Sequence, residues 1–255
     1  MHILLTNDDG YHAPGIQTLY RILKSHTKND ISIVAPEGQR SATGHSITLF
    51  HPLFLTDHDL DGNQKGYAVS GTPSDCVKLA IQGGLISKPD LLISGINQGQ
   101  NLGTDVFYSG TVSAAMEGVI LGIPAFSVSL ASYDYKNFEP SATYLAKHLD
   151  YLVGKHREGL ININFPGKLQ TEWHGVKMTR LGKTVYENVF EQRVDPHGRT
   201  YYWQCGNLTQ DLEVDTDLRA IQEDYISITP MHSDLTDYKH LQSWQTYLGN
   251  SEVIT

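Results

Sequence analysis

Ile3-Leu4-Leu5 followed at once by Asn7-Asp8-Asp9-Gly10 constrains this chain more than any other stretch. Three consecutive aliphatic residues suit a strand buried on both faces, as in a parallel sheet. Two adjacent carboxylates at the end of such a strand repel each other and lose water together. That is costly unless a cation lies between them. In open α/β sheets, ligands bind at the C-terminal ends of the strands. A hard divalent metal with oxygen ligands meets both conditions. The plainer alternative is an Asp that caps the next helix beside a solvated neighbour. Gly10 lets the backbone turn sharply there.

The pattern up to about residue 130 alternates between strand and helix. Ile16 to Leu23 has helical spacing, and Ile31 to Ala35 reads as a second strand ended by Pro36. Segment 37–44 is a polar loop. Ser46 to Phe54 and Gly66 to Val69 read as extended pieces, separated by the acidic stretch Asp57 to Gly62. Thr72-Pro73-Ser74-Asp75 is a helix start, with a Thr cap, Pro at the first helical position and an acid at the third. That helix runs to about Gln82. Leu91 to Ser94 is a buried strand with a long Gly/Asn-rich loop after it; a helix over Thr111 to Leu121 and a strand over Ala125 to Leu130 follow. Repetition of this kind implies a doubly wound, mostly parallel α/β sheet with right-handed crossovers.

Beyond residue 130 the expectation is a helix over Pro140 to Val153 and a strand over Leu160 to Phe165. Residues 175–205 read as extended, with alternation in Val185 to Val194 and in Thr200 to Gln204 and a turn between those runs at Asp195-Pro196-His197-Gly198, which makes a projecting β-hairpin. A short helix from Asp217, a strand over Tyr225 to Thr229 and a terminal helix over Leu241 to Leu248 complete the chain. The whole reads as one domain over 1–255, with a core at about 1–175 and 225–235. A hairpin arm at about 180–210 is of the kind that serves oligomerisation, and a C-terminal helix lies at about 236–255.

Composition removes several functions. A formal charge of -9 disfavours a nucleic-acid partner, which calls for a basic face. No apolar run approaches a membrane span, and the few apolar residues before the acidic pair fall short of a secretory signal. With only Cys76 and Cys205, a disulfide framework is not expected; a reducing, cytoplasmic setting is.

Three more loops carry chemistry. In Ala35 to Gly44, small residues permit close backbone approach and Arg40 offers a charged contact to an anion, though an ordinary surface loop looks the same. In Ser94 to Gly103, Asn carbonyls are neutral ligands for Mg²⁺ or Mn²⁺ and Asn amides donate to phosphate; a run of tight turns is the alternative. Tyr108 to Ala115 opens a helix whose free N–H groups make an anion site, or are simply capped by Ser109 or Thr111. Neither a Walker A sequence nor a Gly-x-Gly-x-x-Gly turn occurs after the first strand, which disfavours a dinucleotide. Acids and a neutral amide for one cation, beside a helix N-terminus for phosphate, suit phosphomonoester hydrolysis. There a metal polarises the phosphoryl oxygen and lowers the pKa of a bound water.

The strings ILLTNDDG, APEGQRSATGHSIT, SGTPSDCV, PDLLISGINQGQNLG, YSGTVSAAMEG and SITPMHSDLT closely resemble the survival protein SurE family. The resemblance spans residues 1 to 236 in order. It implies a metal-dependent phosphatase that hydrolyses nucleoside 5′-monophosphates, often 3′-monophosphates, and in some members short polyphosphate. It implies one Mg²⁺ or Mn²⁺ per subunit on Asp8, Asp9, Ser41 and Asn97. It places phosphate on Ser109, Gly110 and Thr111, with Asn101 nearby. It further implies a Rossmann-like core whose C-terminal extension exchanges between subunits of a homodimer or homotetramer.

His232 follows the strand at Tyr225 to Thr229 and is a candidate general acid for the leaving alkoxide, or a surface residue. Among the other histidines, which read as structural or exposed, His45 is the best exception because it lies close to Ser41 in sequence. Asp8 directly follows the strand and is the better base or nucleophile-orienting group. Three rivals stand beside this reading. An aspartyl-phosphate enzyme is disfavoured because the acids are adjacent, and a calcium-dependent nucleoside hydrolase would release free base. A metal-binding nucleotide sensor or scaffold would show no turnover.

Overall fold

The computed structural model describes residues 1–60, 65–156, 158–187, 189–205, 207–210 and 212–249. The first half contains β1 (His2–Thr6), α1 (Pro14–His26), β2 (Asp30–Pro36), β3 (Leu55–Asp59), β4 (Lys65–Val69), α2 (Pro73–Gln82), β5 (Leu91–Gln98) and α3 (Gly110–Ile120). Next come β6 (Ala125–Ala131), α4 (Glu139–Lys155), β7 (Leu160–Pro166), β8 (Gly175–Met178), β9 (Thr184–Glu187) and β10 (Phe190–Val194). The chain continues through β11 (Thr200–Gln204), β12 (Asn207–Gln210), α5 (Asp217–Gln222), β13 (Tyr225–Met231) and α6 (Tyr238–Gly249).

Among the described residues the main sheet has nine strands in the order β3-β4-β2-β1-β5-β6-β7-β13-β8. The run β4-β2-β1-β5-β6-β7 is parallel throughout. β3 joins β4 and β13 joins β7 antiparallel, and β8 lies parallel to β13. The order reverses between β1 and β5, the crevice where open α/β sheets bind ligands. The aliphatic run of β1 serves both faces. Ile3 and Leu5 join the cluster under α1 and α4, whereas Leu4 joins the one under α2 and α3. α2 starts as its sequence indicates: Thr72 Oγ1 accepts from Asp75 N at 3.1 Å, and Asp75 Oδ2 accepts from Thr72 N at 2.9 Å. No helix among the described residues is long and apolar enough to cross a membrane.

Several boundaries differ from the sequence expectation. Ser46 to Phe54 forms no strand; the edge strand is β3, inside the acidic stretch, whose last residues lie outside the described ones. Its acids face Lys65 across the pair, at 3.5 Å from Asp57 and 2.7 Å from Asp59, so charge pairing on an exposed edge replaces apolar alternation. β5 does not stop at Ser94. It continues through a register shift and a cis Gly95–Ile96 peptide to Gln98, which puts Asn97 at a strand end and not in a loop. Of the extended residues 175–205, β8 belongs to the main sheet. The rest forms the expected hairpin arm, since β10 pairs with β11 and β9 with β12, antiparallel and in one register around the turn at Asp195 to Gly198. Residues 250–255 of the expected C-terminal segment lie outside the described residues.

Candidate active site

The turn after β1 is built to present two acids. Asn7 is fully buried and braces it: Asn7 Nδ2 donates to Gly10 O at 2.9 Å, and Gly10 N donates to Asn7 Oδ1 at 3.1 Å. Gly10 takes φ +107°, and a Cβ there would lie 3.1 Å from the Gly38 backbone. The turn therefore passes close against segment 37–44.

Each of the other three loops is hydrogen-bonded to this acidic turn. Arg40 N donates to Asp8 O at 2.7 Å. Gln98 N, at the end of β5, donates to Asp9 Oδ2 at 3.1 Å. The Thr111 hydroxyl and backbone N–H, at the start of α3, donate to the Asp8 carboxylate. Gly44 N also donates to Tyr108 O at 3.0 Å, which closes the ring of loops.

Burial sets the electrostatics. Asp8 is 4 % exposed, and desolvation lifts its carboxyl to a pKa of about 6, with the Asp9 charge adding to the rise and Thr111 opposing it. Desolvation also raises Asp9, against the bond from Gln98. In the absence of a cation this is a stability cost. Between the unfolded Asp8 value of 3.8 and its folded value of about 6, the native state binds the extra proton. Asp8 therefore favours folding below the lower value, and that contribution is lost as pH rises through the upper one, about 3 kcal/mol in all. Urea unfolding of metal-free protein between pH 4 and 8 is expected to show this decline, and Asp8→Asn to remove it. A profile that stays flat in the unsubstituted protein refutes the assignment.

The remaining candidates divide. Asn97 Nδ2 donates to Gly99 O at 2.8 Å, which leaves its carbonyl oxygen for a ligand. Ser41 is exposed, and its hydroxyl accepts from Gln39 Nε2 at 2.9 Å. Asn101 is buried, and its Nδ2 donates to Ser129 Oγ at 2.8 Å. Ser109 caps α3 by accepting from Val112 N at 3.1 Å. Gly110 lies so near Asp8 that a Cβ would come within 2.7 Å of the Asp8 Cβ. Arg40 turns its guanidinium away from the acids, donating from Nη2 to Ser70 O at 2.8 Å and lying 3.6 Å from Glu37. Sequence reasoning missed Asn7 and Gln98, whose parts depend on the turn and on the extension of β5.

His232 is not brought to this cluster. β13 runs antiparallel to β7, with Met231 opposite Leu160 at the start of that strand, so His232 leaves the sheet at the end of the strands opposite to Asp8. It is exposed and lines a cavity of about 720 Å³ that runs along α3 from Phe107, Val112 and Ser113 past His45 and Met116 to Leu235. His45 pairs there with Glu117 at 2.8 Å. His232→Ala is expected to leave phosphatase turnover intact and to shift stability by no more than about 0.5 kcal/mol; a large loss of kcat would return His232 to the chemistry.

Among the described residues no three His, Cys, Asp or Glu side chains gather into a metal cluster. A cation at the twin acids therefore relies on two carboxylates and neutral oxygens. That donor set, made of hard oxygens with both carboxylates destabilised by burial, fits a divalent cation.

Residues 3–188 match the family model described as Survival protein SurE. The chain is 63 % identical over 249 residues to the 5′-nucleotidase SurE of Desulfitobacterium hafniense, covering 98 % of each chain. It is 49 % identical over 260 residues to the protein of the same description from Pelotomaculum thermopropionicum, covering 100 % of this chain and 98 % of the relative. The crystal structure of SurE protein from Aquifex aeolicus superposes with a TM-score of 0.81 at 38 % identity, covering 98 % of this chain and 100 % of that one.

Proposed function

This chain belongs to the survival protein SurE family and is a 5′-nucleotidase, and we propose that the ring of loops around Asp8 is where it hydrolyses nucleoside monophosphates. The observation that carries this reading is the turn bearing Asp8 and Asp9, hydrogen-bonded at once to segment 37–44, to the end of β5 and to the start of α3.

Asp8, Asp9, Asn97 and Ser41 hold one Mg²⁺ or Mn²⁺ per subunit in this reading. Ser41 lies at the exposed rim of the site. The family is metal-dependent, and the bound cation supplies Lewis-acid polarisation of the phosphoryl group. The chain supplies the rest. The Asp8 carboxylate, held by Thr111, orients the attacking water and accepts its proton. In the first turn of α3, Val112 N donates to Ser109 Oγ, Ser113 N to Ser109 O, and Thr111 N to Asp8, which leaves the Gly110 amide and the helix dipole for phosphate. Asn101 approaches the same phosphate. The exposed arm around β10–β11 and the C-terminal helix α6 supply contacts for a homodimer or homotetramer, and the enzyme works in the cytoplasm on free nucleotides, with 3′-monophosphates and short polyphosphate as further substrates.

Phosphate release from AMP and GMP, assayed with Mg²⁺, Mn²⁺, Co²⁺ or EDTA, tests the reading. The expected result is metal-stimulated release of phosphate that EDTA abolishes. Release of free base, or turnover indifferent to EDTA, would contradict it.

A further inference from the structure

Parallel strands covered on both faces are normally filled with aliphatic side chains. β7 breaks this rule twice: Asn162 and Asn164 are both fully buried, between Ile161, Ile163 and Phe165. They stand two apart, hence on one face, opposite Ser127 and Ser129 of β6. A buried carboxamide is costly unless its polar atoms are paired. These are paired almost wholly with one distant residue. Asn164 Oδ1 accepts from Asn101 N at 2.9 Å, and Asn164 Nδ2 donates to Asn101 O at 3.0 Å. Asn162 Nδ2 donates to the same carbonyl at 2.8 Å, while its Oδ1 accepts from Ser127 Oγ at 2.8 Å. Asn101 Nδ2 in turn donates to Ser129 Oγ at 2.8 Å.

The backbone of Asn101 is thus gripped at both polar atoms by three hydrogen bonds, and its side chain is fixed by a fourth. Asn101 sits between Asn97 and Ser109, in the segment that joins the two ends of the site. A hydrophobic core gains nothing from two amides at this depth, whereas phosphoryl transfer depends on placement of the donors.

We propose that Asn162 and Asn164 are positioning residues that set the depth and direction of Asn101 in the phosphate seat, an inference that rests on the site reading above. The acids are held independently, by Asn7, Gln98 and Thr111, so cation binding and phosphate binding separate.

The test uses the full chain with Asn162→Ala and Asn164→Ala. Asn162→Ala leaves the Asn101 carbonyl with its bond from Asn164, and so serves if Asn164→Ala fails to fold. The expected result is a rise of about tenfold in KM for AMP and in the calorimetric dissociation constant of inorganic phosphate. Mn²⁺ affinity of the same variants stays within about twofold, because those residues do not touch the acids. In an Asn101→Ala background the added effect of either substitution on phosphate binding disappears, as expected for groups acting through one residue. Lowered thermal stability with unchanged KM and phosphate affinity would overturn the proposal, as would an undiminished effect in the Asn101→Ala background. Failure of the site reading itself shows separately, as an unsubstituted protein in which AMP does not compete with phosphate.

Discussion

Asp8→Asn is expected to lower kcat/KM for AMP by about 10²–10⁴-fold while leaving the fold intact. The substitution keeps size and shape, and an amide oxygen still accepts from Thr111. On the proposed reading it removes a charge that binds the cation and the group that takes the proton from water. It also removes the cost of burying that charge, so the metal-free variant is expected to be more stable than the unsubstituted protein above pH 6. Loss of activity joined to gain of stability is the pattern of a functional charge held in an unfavourable place. Asp9→Asn is expected to follow the same direction, with a smaller gain in stability because Asp9 is less buried and its carboxylate accepts from Gln98. Near-full activity of either folded variant would remove the twin acids from the chemistry.

Gly110→Ala is the second large effect, and it separates activity from folding in another way. At the start of a helix, alanine is as good a residue as glycine or better. Here its Cβ would lie 2.7 Å from the Asp8 Cβ and 2.9 Å from Asp8 Oδ2. Either α3 retreats or Asp8 moves, and both open the site. Displacement of about an ångström at a reacting centre costs on the order of 10²-fold, so kcat/KM is expected to fall by about that much. Circular dichroism should stay close to that of the unsubstituted chain, with stability lowered by about 1–3 kcal/mol from the overpacked contact, too little to unfold the protein. An active Gly110→Ala protein would mean that the start of α3 lies outside the reaction.

The core was legible in the sequence because its signals are local. Aliphatic runs such as Ile3-Leu4-Leu5 mark strands buried on both faces, and Thr72 to Asp75 carries its own capping arrangement. The doubly wound order follows from the alternation of such segments. What was not legible depends on distant partners. β3 forms because Lys65 lies across from Asp57 and Asp59, and nothing in the acidic stretch alone requires that pairing. β5 extends to Gln98 because β6 continues beside it past a register shift, while the local Gly and Asn content reads as loop. The antiparallel entry of β13 reverses the end of the sheet at which His232 emerges, which no local motif encodes.

The site divides along the same line. Asp8 and Asp9 stand out because adjacent acids after an apolar strand are costly. Their partners Gln98 and Thr111 lie 89 and 103 positions away and become visible only when the sheet is assembled. Asn162 and Asn164 did carry a signal, as polar residues alternating within Leu160 to Phe165. Without the fold, that alternation reads as a half-exposed strand rather than as a grip on Asn101.

The central claim is that a cation neutralises the two acids after β1, and titration of the metal-free protein with Mn²⁺, followed by calorimetry in buffers of different ionisation enthalpy near pH 6, tests it most directly. The predicted result is one ion bound per chain with release of a proton from Asp8, and loss of that binding in Asp8→Asn. Binding that is absent, or that Asp8→Asn and Asp9→Asn leave undiminished, would contradict the account.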